Sequence, residues 1–432
     1  MGPQRALLRR AFEAAVQAAD PAAAVQPHLP APPPHGRLLV LALGKAAGPM
    51  AAAVEEHYLA LGTHLDGLVV TARGHAVELR RLPCREAGHP VPDEASQAAG
   101  EALLALADEA GPDDLVLVLL SGGGSALACA PLAGLDLADK QAVTNALLRS
   151  GADIGEMNLV RKHLSALKGG RLAARAAPAR VLALVISDVV GDDLASVASG
   201  PTVADGSGPA DALSVLERYA LDAPAARAAL ARASSGGAGA APAPDDPALA
   251  ACETRLVASN QASLEAAAAL LAAAGYRTLV LANAITGEAR EAGAFHAAIA
   301  LQAWRHGQPA ASPLALLSGG ETTVTVRGDG GRGGRNSEFA LGLALALPPN
   351  APVAALSADS DGIDGFGGHA GAFVTPALLQ GLDRRAARAA LARNDSYAVF
   401  AAADHLLVCG PTRTNVNDVR VVLVGDSPAA MR

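Results

Sequence analysis

Short apolar runs recur along the first half of the chain, each set between stretches with helical spacing. Leu38–Leu43 (LLVLAL), a segment at 67–71, Leu115–Leu120 (LVLVLL) and a segment at 181–186 read as strands. Strands without polar alternation are buried on both faces, so they belong to a parallel sheet covered by helices. The spacing predicts helices through Met50 and Val54, over 94–110, over 136–150 and over 156–177. The segment 234–246 (SSGGAGAAPAPDD) holds only small residues, Gly, Pro and Asp, and reads as the clearest linker. Beyond it the pattern changes. Segments at 279–282, 314–317 and 353–356 still read as buried strands and 336–346 as a helix, but 322–327 (TTVTVR) alternates, which predicts a half-exposed antiparallel strand.

At 432 residues the chain exceeds what one core organises, about 250–300 residues, so two α/β domains are expected. Hydrophobic residues make up 51% and aromatics only 3%, so Ala, Val and Leu must build the cores. The formal charge is −8 with no basic block, which gives a nucleic-acid partner no support. It does not exclude an anionic substrate, because local loops make anion sites. Cys84, Cys129, Cys252 and Cys409 are widely spaced and form no CxxC pair, as in a reducing compartment. The opening segment carries Arg5, Arg9 and Arg10, then Glu13 on an amphipathic helix, without a signal-type apolar core or a Ser or Thr at position 6 for lipidation. No run is long enough to span a bilayer, so no membrane partner and a cytoplasmic location are expected.

Ligands of open α/β sheets gather beyond the carboxyl ends of strands, so the loops after the apolar runs are the places to look. Gly44-Lys45-Ala46-Ala47 follows the first run and puts a lysine at the mouth of a helix. Ser121-Gly122-Gly123-Gly124-Ser125 follows Leu115–Leu120, and its glycines let backbone N–H groups approach an anion at the positive end of the next helix. Ser187-Asp188 and Asp192-Asp193 follow 181–186, where carboxylates can hold Mg²⁺ or accept a proton. Ser318-Gly319-Gly320-Glu321 is a shorter echo of the triple-glycine loop, and 328–336 (GDGGRGGRN) leads with two arginines into a helix. A lone lysine or Ser-Gly-Gly turn more often serves structure than chemistry. Their recurrence at strand ends makes an inventory for handling phosphate.

Two standard nucleotide-binding signatures bear on this inventory. Walker A fails, because Ala46 follows Gly44-Lys45 and the upstream glycine is missing. A GxGxxG match at 328–333, with Asp359 after the next strand, would favour a nicotinamide-dependent reductase. Against it, the preceding TTVTVR alternates, the loop overshoots with Gly334-Arg335, and Arg332 and Arg335 suit discrete phosphate groups. In 158–171 (NLVRKHLSALKGGR), Asn158, Arg161 and Ser165 share one helical face, although basic residues on a helix often only meet solvent and a lone His163 is more often structural. The acidic loop 357–365 (SADSDGIDG) lacks EF-hand spacing and reads as a turn or a magnesium-facing loop.

Taken in order, LGKAAGPMA, AGHPVPDEAS, LLSGGGSALACAP, NLVRKHLSALKGGRLA, ISDVVGDDLASVASGPT, LSGGETTVTVRGDGGRGGRNSEFAL, SDGIDG, NDSY and GPTRTNVNDV resemble the glycerate kinases that form 2-phosphoglycerate, whose C-terminal half is the MOFRL domain. The resemblance runs from about 40 to 420. It implies a Rossmann-like three-layer N-terminal domain over 1–240, a distinct leucine-rich α/β domain with a mixed sheet over 248–432, and an active site in the cleft between them. It implies ATP and Mg²⁺ as cofactors and D-glycerate as substrate, and leaves monomer and homodimer open. By resemblance Lys45, Asp188 and Arg335 are the catalytic set, with Asp188 and Asp192 as metal ligands. Ser121, Gly122, Gly123, Gly124, Ser125, Ser318, Gly319, Gly320, Glu321 and Asn336 are the cofactor-binding residues. The chain departs from the family pattern at Met157 and Leu159, at Ser337, at 366–369 (FGGH), at Cys409 and at Arg413. Some members of this family have been labelled hydroxypyruvate reductases, which is the competing reading. A sugar-phosphate sensor without turnover is disfavoured, because Asp188, Asp192, Asp193 and SDGIDG would weaken a pure anion binder.

Overall fold

Wholly apolar strands need cover on both faces, and helices supply it. The computed structural model of the chain describes residues 2–236, 239–327, 330–366 and 368–425. It divides into two units: Pro21–Val257, and Met1–Asp20 together with Ala258–Arg432. In the first unit, β1 (Leu38–Leu43), β2 (Leu65–Ala72), β3 (Cys84–Ala87), β4 (Leu115–Leu120), β5 (Arg180–Ile186) and β6 (Cys252–Ala258) form a parallel six-stranded sheet. Its order is β3-β2-β1-β4-β5-β6, so the direction of travel across the sheet reverses between β1 and β4. These two strands run in register from Leu38 beside Leu115 to Leu43 beside Leu120 and therefore end level.

Two expectations change here. The strand after the 234–246 segment completes the first sheet, so the division falls at 257–258 and not in that segment, of which Gly237 and Ala238 lie outside the described residues. The single helix expected over 156–177 is broken into Ile154–His163 and Arg171–Ala176. Gly169 and Gly170 between them take φ of 61° and 78°, a left-handed turn that an α-helix cannot contain.

The second unit has a mixed sheet. Its strands are β7 (Arg277–Ala282), β8 (Leu314–Gly320), β9 (Val353–Asp359), β10 (Gly371–Val374), β11 (Leu406–Leu407) and β12 (Asp418–Val424), in the order β11-β10-β9-β12-β8-β7. Only β7 and β8 pair in parallel; the other neighbours are antiparallel. β12 is wholly buried between β9 and β8 and escapes the sequence reading altogether. Ser318-Gly319-Gly320, expected as a loop, is the end of β8. The 322–327 segment forms no strand; Thr323 makes one isolated parallel bridge to Glu288. β7 is half-exposed because it is the edge. The helix Pro3–Ala18 buries Leu7, Leu8 and Phe12 with Leu264 and Leu271 of the helix Asn260–Ala273, which is why the first residues belong to this unit. Among the described residues, no helix is long and apolar enough to cross a membrane.

The helices Ala289–His306 and Arg335–Ala346 approach through glycine. A Cβ on Gly293 would lie 2.1 Å from the Phe339 carbonyl oxygen, and one on Gly342 would lie 2.3 Å from that of Arg290. Neither backbone can yield locally, so Gly342→Ala must spread the pair. Overpacking of this kind costs about 1–3 kcal/mol. Urea unfolding should show that loss, and an unchanged midpoint would mean the helices have room to move.

Candidate active site

In the first unit the loops after β1 and β4 are tied to each other. The Ala46 N–H donates to Ser121 Oγ at 3.0 Å, and the Lys45 N–H donates to the Gly122 carbonyl at 2.9 Å. Gly44, at φ 134°, packs so closely that a Cβ there would meet Ser121 Oγ at 2.1 Å. Ser121 is buried, and its hydroxyl fastens the two loops. Beside them three side chains converge on the glycines. A Cβ on Gly122 would fall 2.1 Å from Asp188 Oδ2, and one on Gly123 would fall 3.0 Å from the His89 ring and 3.4 Å from Lys45 Cγ. Lys45, Asp188 and the triple-glycine loop, singled out from sequence, are therefore brought together at the reversal between β1 and β4.

His89 is the addition. It follows β3, whose Cys-Arg-Glu-Ala carries no strand pattern, so the AGHPVPDEAS stretch counted only toward the resemblance and His89 received no role. Burial lowers its pKa to about 4, with Lys45, His75 and Arg161 adding to the effect, so it is a neutral imidazole at pH 7. One expectation weakens. The helix after the glycines, Gly124–Leu127, is a single turn, so its dipole contributes little to anion binding. Ser125 on that turn bonds Ser199 Oγ at 2.9 Å and receives Lys168 Nζ at 2.6 Å. Arg161 reaches Ser125 Oγ at 3.5 Å, whereas Ser165 turns inward to accept from the Leu167 N–H, so the expected shared face is not kept. His163 is a core residue bonded to Ser207. Asp192 sits at φ 56° in the turn closed by its N–H to the Val189 carbonyl. Among the described residues, no group of three or more His, Cys, Asp and Glu side chains is arranged to hold a metal ion.

In the second unit Arg335 is surrounded by acid. Its Nε donates to Asp418 Oδ1 at 2.8 Å, Nη2 to Asp359 Oδ2 at 2.6 Å, and Nη1 lies 3.0 Å from Glu321 Oε1. Against its burial, Asp418, Asp359 and Glu321 hold its pKa above the ordinary value. Asp418 also binds the fully buried Arg420. Burial raises the pKa of Asp359 well above the carboxylate range, opposed by Arg335 and helped by Asp418 and Asp361. Asn336 is buried; its Nδ2 donates to Asp418 Oδ1 at 2.7 Å and its Oδ1 accepts from Ser357 at 2.6 Å, so it positions Asp418. Ser318 Oγ bonds His296 Nε2 at 2.8 Å. Gly319 lies against the Asn260 amide, and its carbonyl accepts from Arg420. Gly320, at φ 103°, packs on the Ile285 backbone. These three residues are committed inside the protein; of the β8 end, only Glu321 reaches Arg335.

Two motifs hold Arg335 in place: SDGIDG, expected as a turn or a magnesium-facing loop, and NDSY, which had no assigned role. Asp364 of SDGIDG accepts from the Asn336 N–H at 2.9 Å and the Ser337 N–H at 2.8 Å, capping the helix that Arg335 starts. Gly331 and Gly333 pack against Asp395 and Ser396 of NDSY, and Arg332 covers the Tyr397 ring at 4.2 Å. Gly328 and Asp329, which open the GxGxxG match, lie outside the described residues, as does Gly367. Two departures from the family pattern meet: Ser337 Oγ and His369 Nε2 are 2.9 Å apart and both buried.

A family model described as "Domain of unknown function (DUF4147)" matches 7–232, and the MOFRL family model matches 314–418. The chain is 49% identical to an Agrobacterium vitis protein provisionally named hydroxypyruvate reductase, over 98% of this chain and 94% of that one. It is 41% identical to the D-glycerate 2-kinase of Thermotoga maritima, over 90% of this chain and 91% of the other. The crystal structure of a Thermotoga maritima glycerate kinase superposes with a TM-score of 0.88 at 39% identity, covering 98% of this chain and 99% of that one.

Three histidines give a pH signature. Burial lowers His89, His163 and His296 from 6.5 to about 4. The unfolded chain binds their protons first, so their stabilisation is complete above about 6.5 and falls as the pH drops toward 4. Asp359 and Glu338, both raised in the fold by burial, contribute in the opposite sense, but as two groups against three. The urea midpoint should fall from pH 7 to pH 5, and His296→Gln should flatten that fall. Equal midpoints at the two pH values would contradict the three neutral imidazoles.

Proposed function

Since the chain belongs to the DUF4147–MOFRL family of glycerate kinases, we propose that it transfers the γ-phosphoryl group of ATP to the 2-hydroxyl of D-glycerate, giving 2-phosphoglycerate. The observation carrying this reading is the convergence of Lys45, His89 and Asp188 on Gly122 and Gly123. Phosphoryl transfer asks little covalent chemistry of the protein; positioning and charge stabilisation do most of the work. The Gly122–Gly124 backbone would cradle the phosphates, and Lys45 would stabilise the charge developing on the transferring group. The glycerate 2-hydroxyl attacks the γ-phosphorus, the bond to the ADP oxygen breaks, and the hydroxyl proton passes to the Asp188 carboxylate. Mg²⁺ takes hard oxygen ligands and keeps several waters, so one or two carboxylates suffice. Asp188 and Asp192 are donors of that kind and would hold it, neutralising phosphate charge. Arg335 is the further cation that the resemblance implies for phosphoryl transfer, and within its own unit Asp359, Asp418 and Glu321 fix its orientation.

The competing reductase reading draws on relatives' names and on the GxGxxG match. The described part of that match gives it no first strand, because 322–327 makes only the Thr323 bridge. One pair of assays separates the two. With ATP, Mg²⁺ and D-glycerate the protein should release ADP, and enolase should consume the product without a mutase. NADH or NADPH oxidation with hydroxypyruvate, in the absence of ADP release, would establish the reductase instead.

Lys45→Met should cost about 2.7–4 kcal/mol of transition-state stabilisation with melting unchanged. Retention of more than roughly a tenth of the activity would remove Lys45 from this role. Arg335→Ala strands buried carboxylates and should cost stability, on the order of 3–5 kcal/mol, as well as turnover. Arg335→Lys keeps the charge but loses the planar fork, so it should recover stability more than kcat. Turnover near wild type in folded Arg335→Ala would leave only a structural role for this residue.

A further inference from the structure

The first unit contains a group of cations for which the phosphoryl transfer described above has no use. Lys168 Nζ donates to the Ser125 carbonyl at 2.5 Å and to its hydroxyl at 2.6 Å, and Arg161 Nη2 lies 3.5 Å from the same hydroxyl. Lys140 is buried near them, and its Nζ has no hydrogen-bond acceptor among the described residues beyond the weak Cys129 thiol. Burial lowers all three pKa values; Lys140 and Arg161 add repulsion at Lys168. Among the described residues, no ion pair joins any of the three to a carboxylate. In the same unit buried Lys162 pairs with Asp205, and buried Arg171 is met by the carbonyl oxygens of Gly239 and Lys168. Buried without a carboxylate beside them, these groups hold their protons less readily, and an anion arriving from outside would restore their charge and bind to it.

We propose that Arg161, Lys168 and Lys140 form the subsite for the carboxylate of the 2-hydroxy acid. The inference rests on the kinase reading for the identity of that acid. Arg161 is half-exposed and offers a planar fork that matches a carboxylate, while Lys168 and Lys140 supply charge behind it. Ser125 follows directly on Gly122–Gly124, where the phosphates would lie. In a 2-hydroxy acid the carboxylate carbon is bonded to the carbon that bears the reacting hydroxyl. The carboxylate site must then adjoin the phosphate loop, as Ser125 does in the chain. A 3-hydroxyl would sit one carbon farther away, so the cluster also selects the position of transfer.

Titration calorimetry with D-glycerate, D-glyceramide and MgATP tests this without relying on turnover. Arg161→Gln, at a half-buried site beside Lys168, should melt no lower than wild type and bind D-glycerate roughly 10- to 100-fold more weakly, the effect of one lost charged hydrogen-bond partner. Its affinity for MgATP should hold. D-glyceramide, of similar shape but uncharged, should bind wild type weakly and be little affected by the substitution. Lys140→Met removes a buried unmatched charge, so it should raise the Tm of the ligand-free protein while weakening glycerate. Unchanged glycerate affinity in folded Arg161→Gln overturns the subsite. So does an equal loss for MgATP, which would assign the cluster to the phosphate donor, and so does a wild type that binds no glycerate. Glycerate binding that depends on Arg161 without ADP release would support the subsite and overturn the kinase reading instead.

Discussion

Two neighbouring parallel strands that end level, and whose connections lead away in opposite directions along the sheet, set the conditions for everything at the glycine loop. Because Leu43 and Leu120 are register partners, the residues that follow them leave the sheet side by side. There the backbone can be satisfied only by the other loop or by a ligand, and both loops use glycine to come close. The bonds from the Ala46 and Lys45 N–H groups fix the separation. Lys45, His89 and Asp188 inherit their positions from that contact, since each lies against a glycine whose missing side chain makes the space.

The second unit solves a different problem, holding an arginine in a fixed orientation. Three carboxylates around one guanidinium leave it few alternative poses, and Asn336 and Arg420 fix Asp418 in turn. The glycine-rich 330–334 segment packs on NDSY and on Asp364, so its glycines answer to close packing against protein. That is a different need from the pyrophosphate turn that a GxGxxG pattern suggests. The same spacing of glycines can thus arise from two unrelated steric demands.

The sequence made the first sheet's interior legible, because β1, β4 and β5 are apolar runs that only a doubly covered sheet explains. It hid β3, which is short, polar and at an edge, and so the position of His89 beyond it, although AGHPVPDEAS was among the matching stretches. β12 reads DVRVVLV, and its Asp418 and Arg420 look like solvent-facing positions when in fact they pair with each other and with Arg335 in the interior. Charged residues satisfied by distant partners are invisible to any local pattern. The linker misled for a related reason: small and flexible composition reports a stretch without a core of its own, not which strand comes next. The 322–327 alternation was real in composition, but among the described residues only Thr323 finds a bridge partner, at Glu288.

The placement of the first twenty residues bears on how the chain is made. The apolar face formed by Leu7, Leu8 and Phe12 finds Leu264 and Leu271 only after more than half of the polypeptide has been synthesised. At about 5–20 residues per second, that interval is on the order of tens of seconds. Pro21–Val257 can organise its own sheet during this time, whereas the leading helix waits with its greasy stripe uncovered. Until Leu264 and Leu271 emerge, the apolar face of Leu7, Leu8 and Phe12 therefore stays without its native cover on the growing chain.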